Sequence, residues 1–124
     1  MNIRELEERK RELNKHLIDI SVQQKENEYL QREIANFEEE SRWQNKQIKE
    51  VNDDLIQSYS GDGKFQNLLS EKEGLLMQKM ATEERFFEES REIIAVHRKQ
   101  LEVSEEECKS EIQSIEQMEG EEEG

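Results

Sequence analysis

Apolar residues are sparse along this chain, and they recur with a helical period. Leu6, Leu13, Ile20, Asn27, Ile34, Ser41, Ile48 and Leu55 follow one another every seven residues, six of the eight being aliphatic. That is the spacing of a helix burying one stripe against a neighbour. A companion column changes partway, from Ile3 and Leu17 on one flank to Leu30, Phe37 and Val51 on the other. The change predicts a phase shift over residues 24–30, where the seam rotates around the helix. Asn2 followed by Glu5 reads as an N-terminal capping box. Glu-to-Arg pairs four residues apart, such as Glu5 with Arg9 and Glu38 with Arg42, each add ~0.2–0.5 kcal/mol.

The second half repeats the pattern. Met80, Phe87, Ile94, Leu101, Cys108 and Ile115 form an unbroken seven-residue column, with Leu69, Leu76 and Met118 as its companions. Between those companions stand Glu83, Ser90, His97, Ser104 and Glu111, so this seam is half polar. "SYSGDGKFQ" separates the halves. Gly61 suits a left-handed helix C-cap and Asp62 an N-cap; Ser70 and Glu73 offer a second start, which would leave residues 62–69 as a looser lead-in.

These elements predict an all-α fold, a long antiparallel two-helix hairpin of coiled-coil type that packs with partner helices. Its expected limits are one domain over 1–119, with helices 2–58 and 64–118 around a turn at 59–63. The acidic residues 120–124 are expected to be disordered, having nothing to bury.

Composition narrows the function. With 124 residues, 40% charged and 31% hydrophobic, the chain has too little apolar material for the many-sided core of a globular enzyme. The net charge of −14 argues against nucleic acid, because the one basic run, from Arg9 to Lys15, is interrupted by Glu12 and flanked by other glutamates. No segment approaches the ~18 apolar residues of a membrane span, and the N-terminus lacks an apolar signal core. Cys108 is the only cysteine, which excludes an internal disulfide. A cytoplasmic protein without membrane insertion is expected.

Candidate chemistry is thin. "GDGK" lacks the earlier glycine and the following Ser or Thr of a phosphate loop. His16, His97 and Cys108 lack metal-ligand spacing, and His97 reads first as a polar seam residue, with a pH-sensitive role as the alternative. The glutamate pairs have no pocket to separate their pKa values. Neither enzymatic activity nor a cofactor is expected.

One stretch asks for more than a hairpin. In "RFFEESREIIAVHRKQL", Phe86, Phe87, Ile93, Ile94 and Val96 come largely in adjacent pairs, and Leu101 and Val103 follow. Adjacent residues point about 100° apart on a helix, so a single stripe cannot bury both members of a pair. Phe87, Ile94 and Leu101 share the column that closes the hairpin, whereas Phe86, Ile93 and Val96 stand outside it. The seven residues together are candidate partner anchors, with Trp43, Phe37 and Tyr29 as counterparts on the first helix. Drift of the heptad phase, burying one stripe at a time, is the competing account.

In length, in two long helices around one glycine turn, and in the aromatic entry "ERFFEESREI" leading to "HRKQLEVSEEECKSEI", the chain resembles the small helical Lap-type targeting factors. These are encoded beside LXG toxins of the Gram-positive type VIIb secretion system. The resemblance implies an adaptor or chaperone that binds the helical N-terminal region of a toxin, together with a second small WXG-like protein, and directs it to secretion, either staying in the cytoplasm or leaving with its client. The Trp-x-Gly turn of the wider superfamily is missing, since Gln44 and Asn45 follow Trp43. Tyr29 and Glu33 match a Tyr-x-x-x-Glu export signal, though in mid-helix. The alternative is a structural coiled-coil homodimer, such as a scaffold or tether subunit or a stalk-like escort.

Overall fold

The computed structural model describes residues 2–123. Two α-helices, α1 (Ile3–Ser58) and α2 (Gly63–Glu123), pack against each other as a hairpin, with no strand among the described residues. Asn2 caps α1 as its position suggests, its Oδ1 accepting the Glu5 N–H at 2.9 Å. Asp62 does the same for α2, accepting from the N–H groups of Lys64 (3.1 Å) and Phe65 (3.4 Å). Because α2 already starts at Gly63, residues 63–69 are helical rather than a looser lead-in.

The turn closes without a left-handed glycine, which corrects the expectation for Gly61: no described glycine has a positive φ. Gln66 satisfies the end of α1 instead. Its side-chain amide donates to the carbonyl of Ile56 (2.9 Å), which the helix terminus would otherwise leave to solvent, and to that of Tyr59 (2.8 Å), which also accepts the Asp62 N–H at 3.0 Å. At the other end, residues 120–123 continue α2 where disorder was expected. Glutamate propagates a helix well once its costly nucleus exists upstream. Gly124 lies outside the described residues.

The chain divides into two compact units, Met1–Leu30 with Ile93–Gly124 (unit 1) and Gln31–Glu92 (unit 2). Unit 1 has an aliphatic core of Leu6, Leu13, Ile20, Leu101, Cys108 and Ile115, with Leu17 and Ile112 packed on it. Unit 2 buries only Leu69, Leu76 and Phe87 among its apolar residues, beside the polar Glu38, Ser41, Asn45 and Asn52.

The α1 seam rotates, but to the side opposite the one expected: Ile48 and Leu55 of the first column are exposed, whereas Asn45 and Asn52 are buried. The column continuing from Leu17 stays inward through Gln24, Gln31, Glu38, Asn45 and Asn52, while Leu30, Phe37 and Val51 are exposed. α2 changes phase as well. Ser104 and Glu105 are both half-buried there, and beyond them Ile112 and Glu119 turn inward while Glu111 and Met118 are exposed.

Candidate binding surfaces

Polar residues on facing columns meet each other at the seam, and this decides which apolar residues are left outside. In unit 2 the Glu83 carboxylate accepts from Ser41 Oγ, from Asn45 Nδ2 (2.9 Å) and from Lys79 Nζ (2.6 Å). Lys79 also donates to Asn45 Oδ1 at 2.6 Å. Hydrogen bonds from Lys79, Ser41 and Asn45 hold Glu83 down at a pKa of about 2. Arg91 donates to Glu38, which also receives Arg42 at 2.7 Å. The Arg91 hydrogen bond lowers the pKa of Glu38. A buried carboxylate without such donors would be costly, so the polar column of α1 follows the polar column of α2.

In unit 1 polar contacts also join the helices, among them Lys10 with Glu119 at 3.2 Å. Asn27 is buried and donates its side-chain amide to the Ile94 carbonyl at 2.9 Å, with His97 Nδ1 3.5 Å away. Gln24 donates to Glu105 at 2.6 Å. Glu105 has its pKa lowered, chiefly by Lys109 and then by Gln24. Arg9 reaches across to Glu111 at 2.9 Å. Each displaced carboxylate moves downward, which holds it ionised and poorly suited to donating a proton.

The ten candidate anchors separate into two groups. Phe87, at 2% exposure, and Leu101 are buried inside their units. They close the helix pair, so their assignment as partner anchors is corrected. Ile94 is half-buried at the same seam. The other seven are exposed: Tyr29, Ile93, Val96 and Val103 in unit 1, and Phe37, Trp43 and Phe86 in unit 2. Ile93 reaches 70% exposure, and Val96 and Val103 border a shallow depression with Lys99, Gln100 and Ser104. In unit 2 the rings of Phe37 and Phe86 each meet Phe87 edge-on, with centroids 5.6 Å apart. Phe87 is thus the floor, and its two neighbours are half-wetted walls.

The apolar pairs are therefore resolved as two faces of one helix. The polar α1 column was the element missed, although Gln24, Gln31, Glu38, Asn45 and Asn52 keep strict seven-residue spacing and the polar residues of α2 called for a counterpart. No protein-family model, curated protein or solved structure matches the chain. No described helix is long and apolar enough to cross a membrane. Among the described residues no group of three or more His, Cys, Asp or Glu side chains could hold a metal ion.

Proposed function

We propose that this chain is a non-catalytic adaptor that packs the outer residues of α2 against helices of a client protein. The observation that carries the reading is the exposure of Ile93, Val96 and Val103 in unit 1. They are spaced three and seven residues apart, as a helix presents a stripe to another helix. Fully burying a side chain of this kind stabilises by ~1.5–3 kcal/mol, enough for three of them to anchor a partner. Phe86, outside the seam of unit 2, offers a further anchor of the same kind.

The client we propose is the helical N-terminal region of an LXG-type toxin, bound together with a second small WXG-like protein and delivered to the type VIIb secretion system. The resemblance of the two long helices and the "ERFFEESREI" entry supports this client. The adaptor would act in the cytoplasm, its acidic surface keeping the apolar helices of the toxin soluble before export.

Co-purification with such a toxin region is the direct test. Val96→Glu combined with Val103→Glu should abolish it while leaving helix content unchanged, since both side chains are already in water. Undiminished co-purification would remove this face from the interface. Light scattering on the isolated protein addresses the alternative: a cooperatively melting homodimer would favour the structural coiled coil.

A further inference from the structure

One cleft of unit 2 has the seam residues Ser41, Asn45, Glu83 and Phe87 at its base and, around them, residues that neither the seam nor the outer stripe of α2 employs. The stretch "SRWQNKQIK", residues 41–49, carries three cations and no acid in a chain of net charge −14. Arg42 is engaged with Glu38 at 2.7 Å and Glu84 at 3.4 Å. Lys46 and Lys49 have no ion pair or hydrogen-bond partner among the described residues. Both line a cleft of about 330 Å³ whose apolar side chains are Met80 and Phe87, with Glu84 on the opposite wall. Trp43, three residues before Lys46, stands 62% exposed.

From this we infer that the cleft docks an acidic amphipathic α-helix of another protein. One apolar side chain of that helix packs on the exposed Met80, above the enclosed Phe87, and carboxylates beside it meet Lys46 and Lys49. The spacing supports a helix, because cations at 42, 46 and 49 repeat every three or four residues and carboxylates at that spacing share one helical face. The sign of the charge supports an acidic one. Unpaired ammonium groups beside an apolar depression favour a ligand that supplies both counter-charge and apolar area. An anionic bilayer fits less well: the depression is concave, and Glu39, Glu40, Glu50 and Asp53 stand near the lysines in sequence. The inference goes beyond the adaptor reading and does not depend on it, since it uses a different surface.

Trp43 is the only tryptophan; it borders a neighbouring depression with Glu39 and Glu40, one residue from Arg42 of the cleft lining, so its emission reports binding from beside the cleft. The probe is a stapled helical peptide with leucines at i, i+3, i+4 and i+7 flanked by glutamates, compared with the same leucines flanked by lysines. The glutamate peptide should shift Trp43 emission saturably, and the shift should weaken with added salt. The lysine peptide should bind far less. Lys46→Ala with Lys49→Ala should lose roughly tenfold in affinity for the glutamate peptide, since two exposed ion pairs are removed. Both side chains are solvent-exposed, and circular dichroism checks that the variant keeps its helix content. Equal binding of the two peptides, or unchanged affinity in the double variant, would overturn the inference. So would a Trp43 response to phosphatidylglycerol vesicles but not to the peptide, or a concentration-dependent shift of the protein alone, which would mark a second copy as the occupant.

Discussion

The two units are built from the same two helices, yet they are held together by different forces. In unit 1, six apolar side chains, Leu6, Leu13, Ile20, Leu101, Cys108 and Ile115, fill the space between α1 and α2. Unit 2 has three buried apolar side chains, while Glu38, Ser41, Asn45 and Asn52 are drawn inside with them. Ile34 and Ile56 are half-buried, and other large apolar residues, including Phe37, Trp43, Val51, Leu75 and Phe86, face outward. Aliphatic packing is non-directional and proportional to area. A hydrogen-bonded seam contributes little net stability per bond but penalises any register that leaves a polar group unpaired. Unit 1 therefore supplies cohesion. Unit 2 supplies register, and both units leave apolar area free, unit 1 at Ile93, Val96 and Val103 and unit 2 at Phe37, Trp43 and Phe86.

Truncations at the two seams test this division most strongly. Phe87→Ala should cost about 3–5 kcal/mol and Ile20→Ala about 2–4 kcal/mol, the range for emptying a buried site, both read from urea unfolding. The difference between units should then appear in amide exchange of the wild type, with the seam of unit 1 more protected than that of unit 2. Equal protection would break the comparison.

A smaller effect is expected at the polar network. Glu83→Gln should lose about 1–2 kcal/mol at neutral pH, through weaker hydrogen bonds to Lys79, Ser41 and Asn45. The sign of its pH dependence follows from linkage. The folded pKa of Glu83 is held at about 2, below its ordinary 4.5, so its contribution is fully present above pH 4.5 and is lost as pH falls towards 2. The stability difference between wild type and Glu83→Gln should shrink over that window. A difference independent of pH would remove the carboxylate charge from the account of unit 2.

The smallest effects belong to the turn of unit 2. Gln66→Ala should cost about 1 kcal/mol, because the Ile56 carbonyl at the end of α1 loses its donor, whereas that of Tyr59 keeps the Asp62 N–H. Gly61→Ala should be neutral or stabilising by up to ~1 kcal/mol, since its φ is not positive and an added Cβ meets no atom within 4 Å. Thermal melts of the two variants separate a turn closed by glutamine from one closed by glycine.

Much of the fold is legible along the chain. The column from Leu6 to Ile20 and the column from Phe87 to Ile115 face inward as their spacing requires, and Asn2 and Asp62 cap the helices they precede. That Phe86, Ile93 and Val96 stand outside the seam was also legible, because neighbours about 100° apart cannot share it, and all three are exposed. Hydrophobicity misled in α1 of unit 2. Leu30, Phe37 and Val51 looked like the inward companions, whereas Glu38, Asn45 and Asn52 hold that place. Phe87 and Leu101 looked available to a partner but are enclosed by their own units.

Heptad spacing, capping residues and charge thus determined by themselves that there are two long helices, where they meet, and that α2 carries more than one apolar face. These are local properties, set by the helical period and by the first turn of each helix. Only the tertiary structure decided which of two adjacent α1 columns turns inward and where the phase changes. Those choices depend on the opposite helix. Glu83 and Arg91 on α2 need hydrogen-bonding partners at fixed heights, and a polar group left unpaired at the seam costs more than an aromatic side chain left half in water.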